Sequence, residues 1–554
     1  MRKKAVSSQL SALSFGLLLA GCAHPAPPSA TPPSPTPAVV RAPVVAPTGP
    51  VHDIVIRGGT IYDGSGGEPF VGDVAIDGDA VSEVGAFSVG KVIVEARGMA
   101  VAPGFVNMLS HAAESLAFDG RGESDLRQGV TLEVFGEASM HPFGRKMQQL
   151  ADGGISLNIA GLVATSTARA QSMSLKSRTP SAVELTRMRT LVAQAMDEGA
   201  LGMTSALIYT PDEAFTTDEL VALAAVVAEK HGLYAAHIRN EGARLLEAID
   251  EMVDIARRAH VAVEIYHFKQ AGKQQWAKLP DAVARVEAAR AAGLDVGADM
   301  YVYDAASTGL DAAMPPWVRE GGTNAWLARL KDPAARARVA REMESPATTW
   351  DNFYAGAGAD GMLLTSFHTR ALQPLIGKTL AEAARLRGKT PVETAMDLVV
   401  EEGGRAQVIY FLMDEANVRR EVALPWMAFG SDSDTRAVDT AKGSVHPRAY
   451  GNVARLLGRY VRDEHATSLA DAIRRLTSLP AERLHLDRRG KLAPGYFADV
   501  VVFDPTRIAD HATYAAPHAY ATGVSHVFVN GVPVISDGAH TNTAPGRFIR
   551  RRAP

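Results

Sequence analysis

The sequence predicts an α/β protein: a (β/α)8 TIM-like barrel with a small β-sandwich domain built from both chain ends and an insertion near the barrel mouth. Three observations predict it. Short apolar runs alternate with helical patterns through the middle of the chain, both ends are β-rich, and the gap before the last apolar run is too long for one loop. The 554 residues are 47% hydrophobic, ample for a large core. A balance of 57 basic against 61 acidic side chains, net charge −4, excludes the electrostatic footprint of a nucleic-acid binder. With a single cysteine there is no internal disulfide and no multi-cysteine metal site, so chemistry must come from His, Asp, Glu, Lys, Arg and Tyr.

In chain order, residues 1–21 read as a signal peptide of the lipoprotein type. Arg2, Lys3 and Lys4 precede an apolar run, Leu10 to Ala20, that is too short to span a bilayer comfortably. The run closes on Leu19-Ala20-Gly21-Cys22, which resembles a bacterial lipobox and implies lipidation of Cys22. Residues 22–51 are dense in Pro, Ala, Ser and Thr without apolar period and read as an extended tether. The expectation is a periplasm-facing lipoprotein of the bacterial cell envelope, touching the membrane only through its lipid.

Residues 52–103 and 490–550 should form the β-sandwich. Asp53 to Arg57 alternates like a strand and runs into Gly58-Gly59, a turn signal. Ala498 to Phe503 is a strand, and Val527 to Ile535 folds back at Asn530-Gly531 as a hairpin. Residues 104–489 should form the barrel. Its candidate strands are Val101 to Met108, Gly129 to Phe135, Ile155 to Val163, Leu201 to Ala206, Leu233 to Ile238, Val261 to Tyr266, Leu294 to Met300 and Trp426 to Gly430. Helices between them carry capping boxes at Ser181/Glu184, Thr216/Glu219 and Thr390/Glu393. A doubly wound open sheet is the alternative, and the lack of Gly-x-Gly-x-x-Gly after the first strand counts against it. The insertion should span about 305–420.

Barrel chemistry sits at the carboxyl ends of the strands. Those ends deliver Asn107-Met108-Leu109-Ser110-His111, Gly136-Glu137, His237-Ile238-Arg239-Asn240-Glu241, His267-Phe268-Lys269, Asp299 with Tyr301, and Ser431-Asp432 followed by His446-Pro447-Arg448. Two histidines and two carboxylates converging on one mouth are donors for a zinc-type cation.

These stretches, together with Ala102-Pro103-Gly104-Phe105, Gln128-Gly129-Val130-Thr131 and Gly490 to Asp499, resemble the amidohydrolase superfamily, and within it the N-acyl-D-amino-acid deacylases. The resemblance runs from Asp53 to Arg551. It implies metal-dependent hydrolysis of the amide bond of a small-molecule N-acyl-D-amino acid. His237 and His267 match metal ligands, Asp432 matches the aspartate that handles the proton, and Tyr209, Lys269, Tyr301, Ser307 and Arg448 match substrate-site positions. The pattern also departs from the family. Asn107 and Leu109 stand where an aspartate and the first His of a His-x-His pair belong, and Ala138 stands where a cysteine belongs, with Glu137 beside it.

A single Zn2+, or another divalent ion, held by Glu137, His237 and His267, with Asp432 completing the shell and acting as general base, would repair the site. The competing partner for Glu137 is Arg169 or Arg239. Arg239, Lys269 and Arg448 are candidate cations for a substrate carboxylate. His111 is unassigned between ligand, substrate contact and loop residue. The alternative functions are an amidohydrolase acting on another amide, a cyclic imide, a lactone or a dipeptide, and an inactive envelope binding protein.

Overall fold

The computed structural model describes residues 50–551, apart from 86–87, 174–177, 347–348 and 441–442. The expected signal peptide, Cys22 and nearly all of the expected tether lie outside the described residues. The tether was expected to reach residue 51, but a strand already begins there.

Both chain ends meet in one nine-stranded sheet. The N-terminal part supplies β1 (Val51–Ile61), β2 (Phe70–Asp77), β3 (Ala80–Val84), β4 (Val89–Glu95) and β5 (Ala100–Pro103). β1 does not turn at Gly58-Gly59. It continues through a bulge there, with Gly58 at φ 67°, and changes its partner on one side from β4 to β5. That change lets the two arms of the sheet enclose a shared core of Ile56, Ile61, Val74, Val101, Val500 and Phe528.

The eight barrel positions follow in chain order: β6 (Phe105–Ser110), β7 (Val130–Phe135), β8 (Asn158–Gly161) continued by β9 (Val163–Ala164), β10 (Gly202–Ala206), β11 (Leu233–His237), β12 (Ala262–Ile265), β13 (Val296–Met300) and, after the insertion, β17 (Met427–Phe429). All neighbouring pairs are parallel. The expected strand Val101 to Met108 divides at Gly104. Its first half, β5, belongs to the terminal sheet and only its second half, β6, to the barrel. Closure falls between β6 and β17. The Asp432 N–H donates to Leu109 O and the His111 N–H to Ser433 O, both at 2.9 Å. The approach is close enough that a Cβ on Gly430 would sit 2.7 Å from the Leu109 nitrogen, so only glycine fits. Val106, Leu109, Leu132, Leu162, Leu201 and Tyr266 fill the barrel interior.

The insertion contains a small antiparallel sheet of β14 (Ala306–Gly309), β15 (Met362–Ser366) and β16 (Gln407–Tyr410), in the order β14-β16-β15. It packs around its own apolar cluster, including Leu310, Trp326, Met362 and Val408. The three expected capping boxes are present, each with the N3 glutamate bonded back to its cap. The terminal sheet closes with β18 (Val500–Phe503), β19 (Val524–Val529), β20 (Val532–Ser536) and β21 (Ala539–His540). Asn530 and Gly531, at φ 49° and 79°, make the tight turn of the β19–β20 hairpin. No helix among the described residues is long and apolar enough to cross a membrane.

One buried acid gives the fold a pH signature. Glu421 is 2% exposed and accepts a hydrogen bond from Gln270 Nε2 at 3.0 Å. Burial pushes its carboxyl from 4.5 up to about 8. The native state therefore keeps a proton that the unfolded chain loses above pH 4.5, and this part of the stability declines as pH rises towards 8, by at most about 1.4 kcal/mol per unit. Glu421→Gln, which mimics the neutral acid, flattens that decline. Urea unfolding of both proteins at pH 5 and pH 8 checks this, and parallel losses would contradict it.

Candidate metal centre and active site

Eight parallel strands end at one mouth, and a cavity of about 960 Å³ opens there, walled on one side by the insertion residues Ser307, Thr308, Phe353 and Gln407. Glu137, just beyond β7, is its hub. Glu137 Oε1 lies 3.0 Å from His237 Nδ1, at the end of β11, and 3.0 Å from His267 Nε2, beyond β12. Glu137 Oε2 lies 3.4 Å from His111 Nε2, which in turn lies 2.9 Å from Asp432 Oδ1. Arg448 Nη1 reaches Asp432 Oδ2 at 3.0 Å.

The backbone is bent to make this arrangement. Glu137, His267 and Asp432 have φ of 59°, 37° and 48°, in the left-handed region that side chains larger than glycine rarely occupy. Each such residue costs on the order of 1–3 kcal/mol and persists only where its surroundings hold it. Here the holders are visible. The Glu137 N–H donates to Thr204 Oγ1 at 3.1 Å, the His267 N–H to Asp299 Oδ1 at 2.8 Å, and the Asp432 N–H to Leu109 O. Three strained positions converging on one point mark a functional centre.

The electrostatics are those of mutually stabilised opposite charges. Burial works to raise the Glu137 carboxyl, but hydrogen bonds from His237 and His267 outweigh it and hold the group well below its usual range. Asp432 is likewise opposed by burial and held low by Arg448 and His111. Burial and Lys269 disfavour charge on His267, yet Glu241 and Glu137 prevail and push it up to about 10. His446 is different. Its Nε2 lies 2.9 Å from Ala305 O, its Nδ1 accepts the Arg448 N–H at 3.0 Å, and burial keeps the ring neutral. It orients Arg448 and is no ligand.

The donors suit a divalent ion of the zinc type. One carboxylate oxygen and two imidazole nitrogens, from Glu137, His237 and His267, all lie within 4.8 Å of one another, and two His with one Glu is a known catalytic zinc set. Metal binding displaces the protons that such groups hold. A second cluster of the same kind joins His111, Glu137 and Asp432. Asp432 thus groups with His111 and Glu137 and not with the histidines of β11 and β12.

The structure brings most of the expected substrate-site residues to the cavity. The Tyr209 hydroxyl is 2.8 Å from Thr308 Oγ1, and its ring stands edge-on to His237. Tyr301 lies beneath the Arg448 guanidinium, 4.4 Å from ring centroid to Cζ, and Ser307 O is 3.4 Å from Arg448 Nη2. Arg448 is 3% exposed, and its buried Nε has no hydrogen-bond partner among the described residues. Lys269 lines the cavity but is committed to Glu241 Oε1 at 2.5 Å.

Arg239 is a correction. It does not line this cavity. Its guanidinium binds Glu251 at 2.9 Å and the carbonyls of Glu213 and Phe215. β11 ends at His237, so the alternation that would set Arg239 beside His237 stops short of it. Among the described residues the ion-pair partners of Glu137 are His111, His237 and His267, in place of the expected Arg169 or Arg239. Sequence reasoning also passed over Glu241, although it quoted the residue within the β11 motif, and over Asp351. The Asp351 carboxylate accepts the Glu241 and Gly242 N–H groups at 2.7 and 3.2 Å.

Fold and site together define a barrel hydrolase type with a metal-binding mouth. The model of the amidohydrolase family matches residues 92–535, and the chain belongs to that family. Among curated relatives it is 32% identical to an N-acyl-D-glutamate deacylase of Alcaligenes xylosoxydans xylosoxydans, over 90% of this chain and 97% of the relative. It is 31% identical to a D-aminoacylase of the same organism, over 90% and 98%. Among solved structures it resembles an N-acyl-D-glutamate deacylase from Bordetella bronchiseptica complexed with zinc and a phosphonate mimic of the tetrahedral intermediate. That likeness has TM-score 0.76 and 28% identity and covers 91% of this chain and all of the other.

Proposed function

We propose that this chain is a zinc-dependent deacylase that hydrolyses the amide bond of N-acyl-D-amino acids, releasing a carboxylate and a free D-amino acid. The observation that carries the reading is the Glu137 oxygen 3.0 Å from both His237 Nδ1 and His267 Nε2, in a chain whose relatives over nearly its whole length are deacylases of that kind. Glu137, His237 and His267 would hold the zinc, which when bound would lower the pKa of a water and polarise the acyl carbonyl.

The rest is the work of side chains. Asp432, held ionised by Arg448 and His111, accepts the proton of the attacking water and returns it to the leaving nitrogen. Arg448, buried and with Nε unpartnered among the described residues, binds the substrate carboxylate, with Ser307 and Tyr209 lining the same wall. The insertion residues over the mouth restrict water around the reacting amide.

Purified protein is expected to hold about one zinc per chain, to cleave N-acetyl-D-methionine in preference to its L-isomer, and to lose activity reversibly on chelation. Equal rates on the two isomers would remove the D-specific reading, and full activity after zinc removal would remove the metal.

The lipobox-like Leu19-Ala20-Gly21-Cys22 supports a further proposal, that the mature chain is anchored by lipid on Cys22 in the cell envelope. Fatty-acid labelling in cells is expected to mark the wild type and not Cys22→Ala, and equal labelling of both would refute it.

A further inference from the structure

The two imidazoles that face Glu137 on one side face a second carboxylate on the other. Glu241 Oε1 lies 2.9 Å from His267 Nδ1 and 3.6 Å from His237 Nε2. His237 Nε2 is buried and has no hydrogen-bond partner among the described residues, and Glu241 stands beyond hydrogen-bond reach of it. The two rings are turned opposite ways: Nδ1 of His237 and Nε2 of His267 point to Glu137.

A neutral imidazole carries one proton, and the nitrogen that coordinates a cation must be the one without it. The centre therefore needs two different tautomers, Nε2–H in His237 and Nδ1–H in His267. Glu241, 2.9 Å from His267 Nδ1, stands where it can select the second of these.

Lys269 makes the choice a contest. Its ammonium lies 2.7 Å from His267 Nδ1 and 2.5 Å from Glu241 Oε1. An ammonium can only donate, so left alone with His267 it would favour an unprotonated Nδ1 and place the ring proton on Nε2, where the cation belongs. Glu241 engages the ammonium and stands 2.9 Å from Nδ1, placed to accept from an Nδ1–H and reverse that preference. The loop that carries Glu241 is itself pinned by the insertion, since its N–H and that of Gly242 donate to the Asp351 carboxylate.

We propose that Glu241 is a positioning residue of the metal centre, a carboxylate that sets the tautomer of the ligand His267 and restrains Lys269 from imposing the wrong one. This rests on the reading of Glu137, His237 and His267 as a zinc site.

The test is the zinc dissociation constant of the full-length protein, measured by chelator competition, for wild type, Glu241→Gln, Glu241→Ala and the double variant Glu241→Ala/Lys269→Met, with circular dichroism as a check on folding. Loss of an outer-shell partner of a ligand histidine typically weakens metal binding about 10–100-fold, and Glu241→Ala is expected in that range. Glu241→Gln, which keeps an acceptor oxygen, falls between it and wild type. The double variant recovers part of the loss, because the competing donor is gone. A merely structural role would lower the melting temperature without this recovery.

The proposal is overturned if folded Glu241→Ala binds zinc as tightly as wild type, or if the double variant binds no more tightly than the single one. Should Glu241→Ala fail to fold, an unchanged constant for Glu241→Gln overturns it equally. Failure of the wild type itself to bind zinc is a separate result that defeats the proposed function, and this inference with it.

Discussion

Asp432→Asn is expected to keep its zinc and lose turnover, with kcat on N-acetyl-D-methionine falling on the order of 10²–10⁴-fold, the range for removal of a general acid–base. Asparagine matches the shape of aspartate and fills the same place between His111 and Arg448, so the site does not collapse. What disappears is the basic oxygen. Asp432 lies outside the cluster of Glu137, His237 and His267, so the metal keeps three protein donors. Arg448 loses its anionic neighbour and becomes freer to bind a carboxylate, so KM should not rise. Steady-state kinetics beside zinc analysis separates these effects. Turnover within about threefold of wild type would mean that another group carries the proton, and zinc loss in step with activity would move Asp432 from base to ligand.

The barrel was legible because its strands are short apolar runs set apart by well-signalled helices. Ser181/Glu184 and Thr216/Glu219 state their helix starts locally, and the structure agrees. The errors fall where tertiary context overrides local chemistry. Gly58-Gly59 has the composition of a turn, yet it serves as a bulge because β1 must change partner from β4 to β5 at that point. Val101 to Met108 reads as one strand because both halves are buried, although it crosses the expected domain boundary at 103/104, and it divides there at Gly104.

The site divides in the same way. Glu137, His237, His267 and Asp432 follow strand ends, where position in the chain implies position at the mouth. Arg239 lies beyond the end of β11, where position in the chain no longer fixes direction, and its guanidinium turns to Glu251. Glu241 was visible as a residue, but its work depends on His267 and Lys269 arriving from the next strand and on Asp351 arriving from the insertion. No local pattern encodes such a meeting. Leu109, which replaces an expected ligand, is fully buried among Tyr266, Leu162 and Ala428, so packing has taken over that position.

Glu137→Gln should have the larger effect on the metal. The substitution keeps the length and position of the side chain and removes the charge on which both histidines depend. Glu137 Oε1 is the one carboxylate oxygen 3.0 Å from each ligand nitrogen, and its partner oxygen links the group to His111. A neutral amide oxygen is a poor zinc donor beside a carboxylate, and the amide N–H2 would turn donors towards the very nitrogens that must coordinate. Zinc content should therefore drop from about one per chain to near zero after dialysis, a greater loss than the roughly 10–100-fold expected for an outer-shell change such as Glu241→Ala. Activity should fall with it and return only partly at high zinc. The fold should survive, because Glu137 sits at the solvent-reached mouth while the barrel core of Val106, Leu132 and Tyr266 is untouched. A variant that retains a full equivalent of tightly held zinc would show that the two histidines recruit their third donor elsewhere. The donors that share the neighbouring cluster with Glu137 are His111 and Asp432, and the combined Glu137→Gln/His111→Ala/Asp432→Asn protein would then be the one to lose the ion.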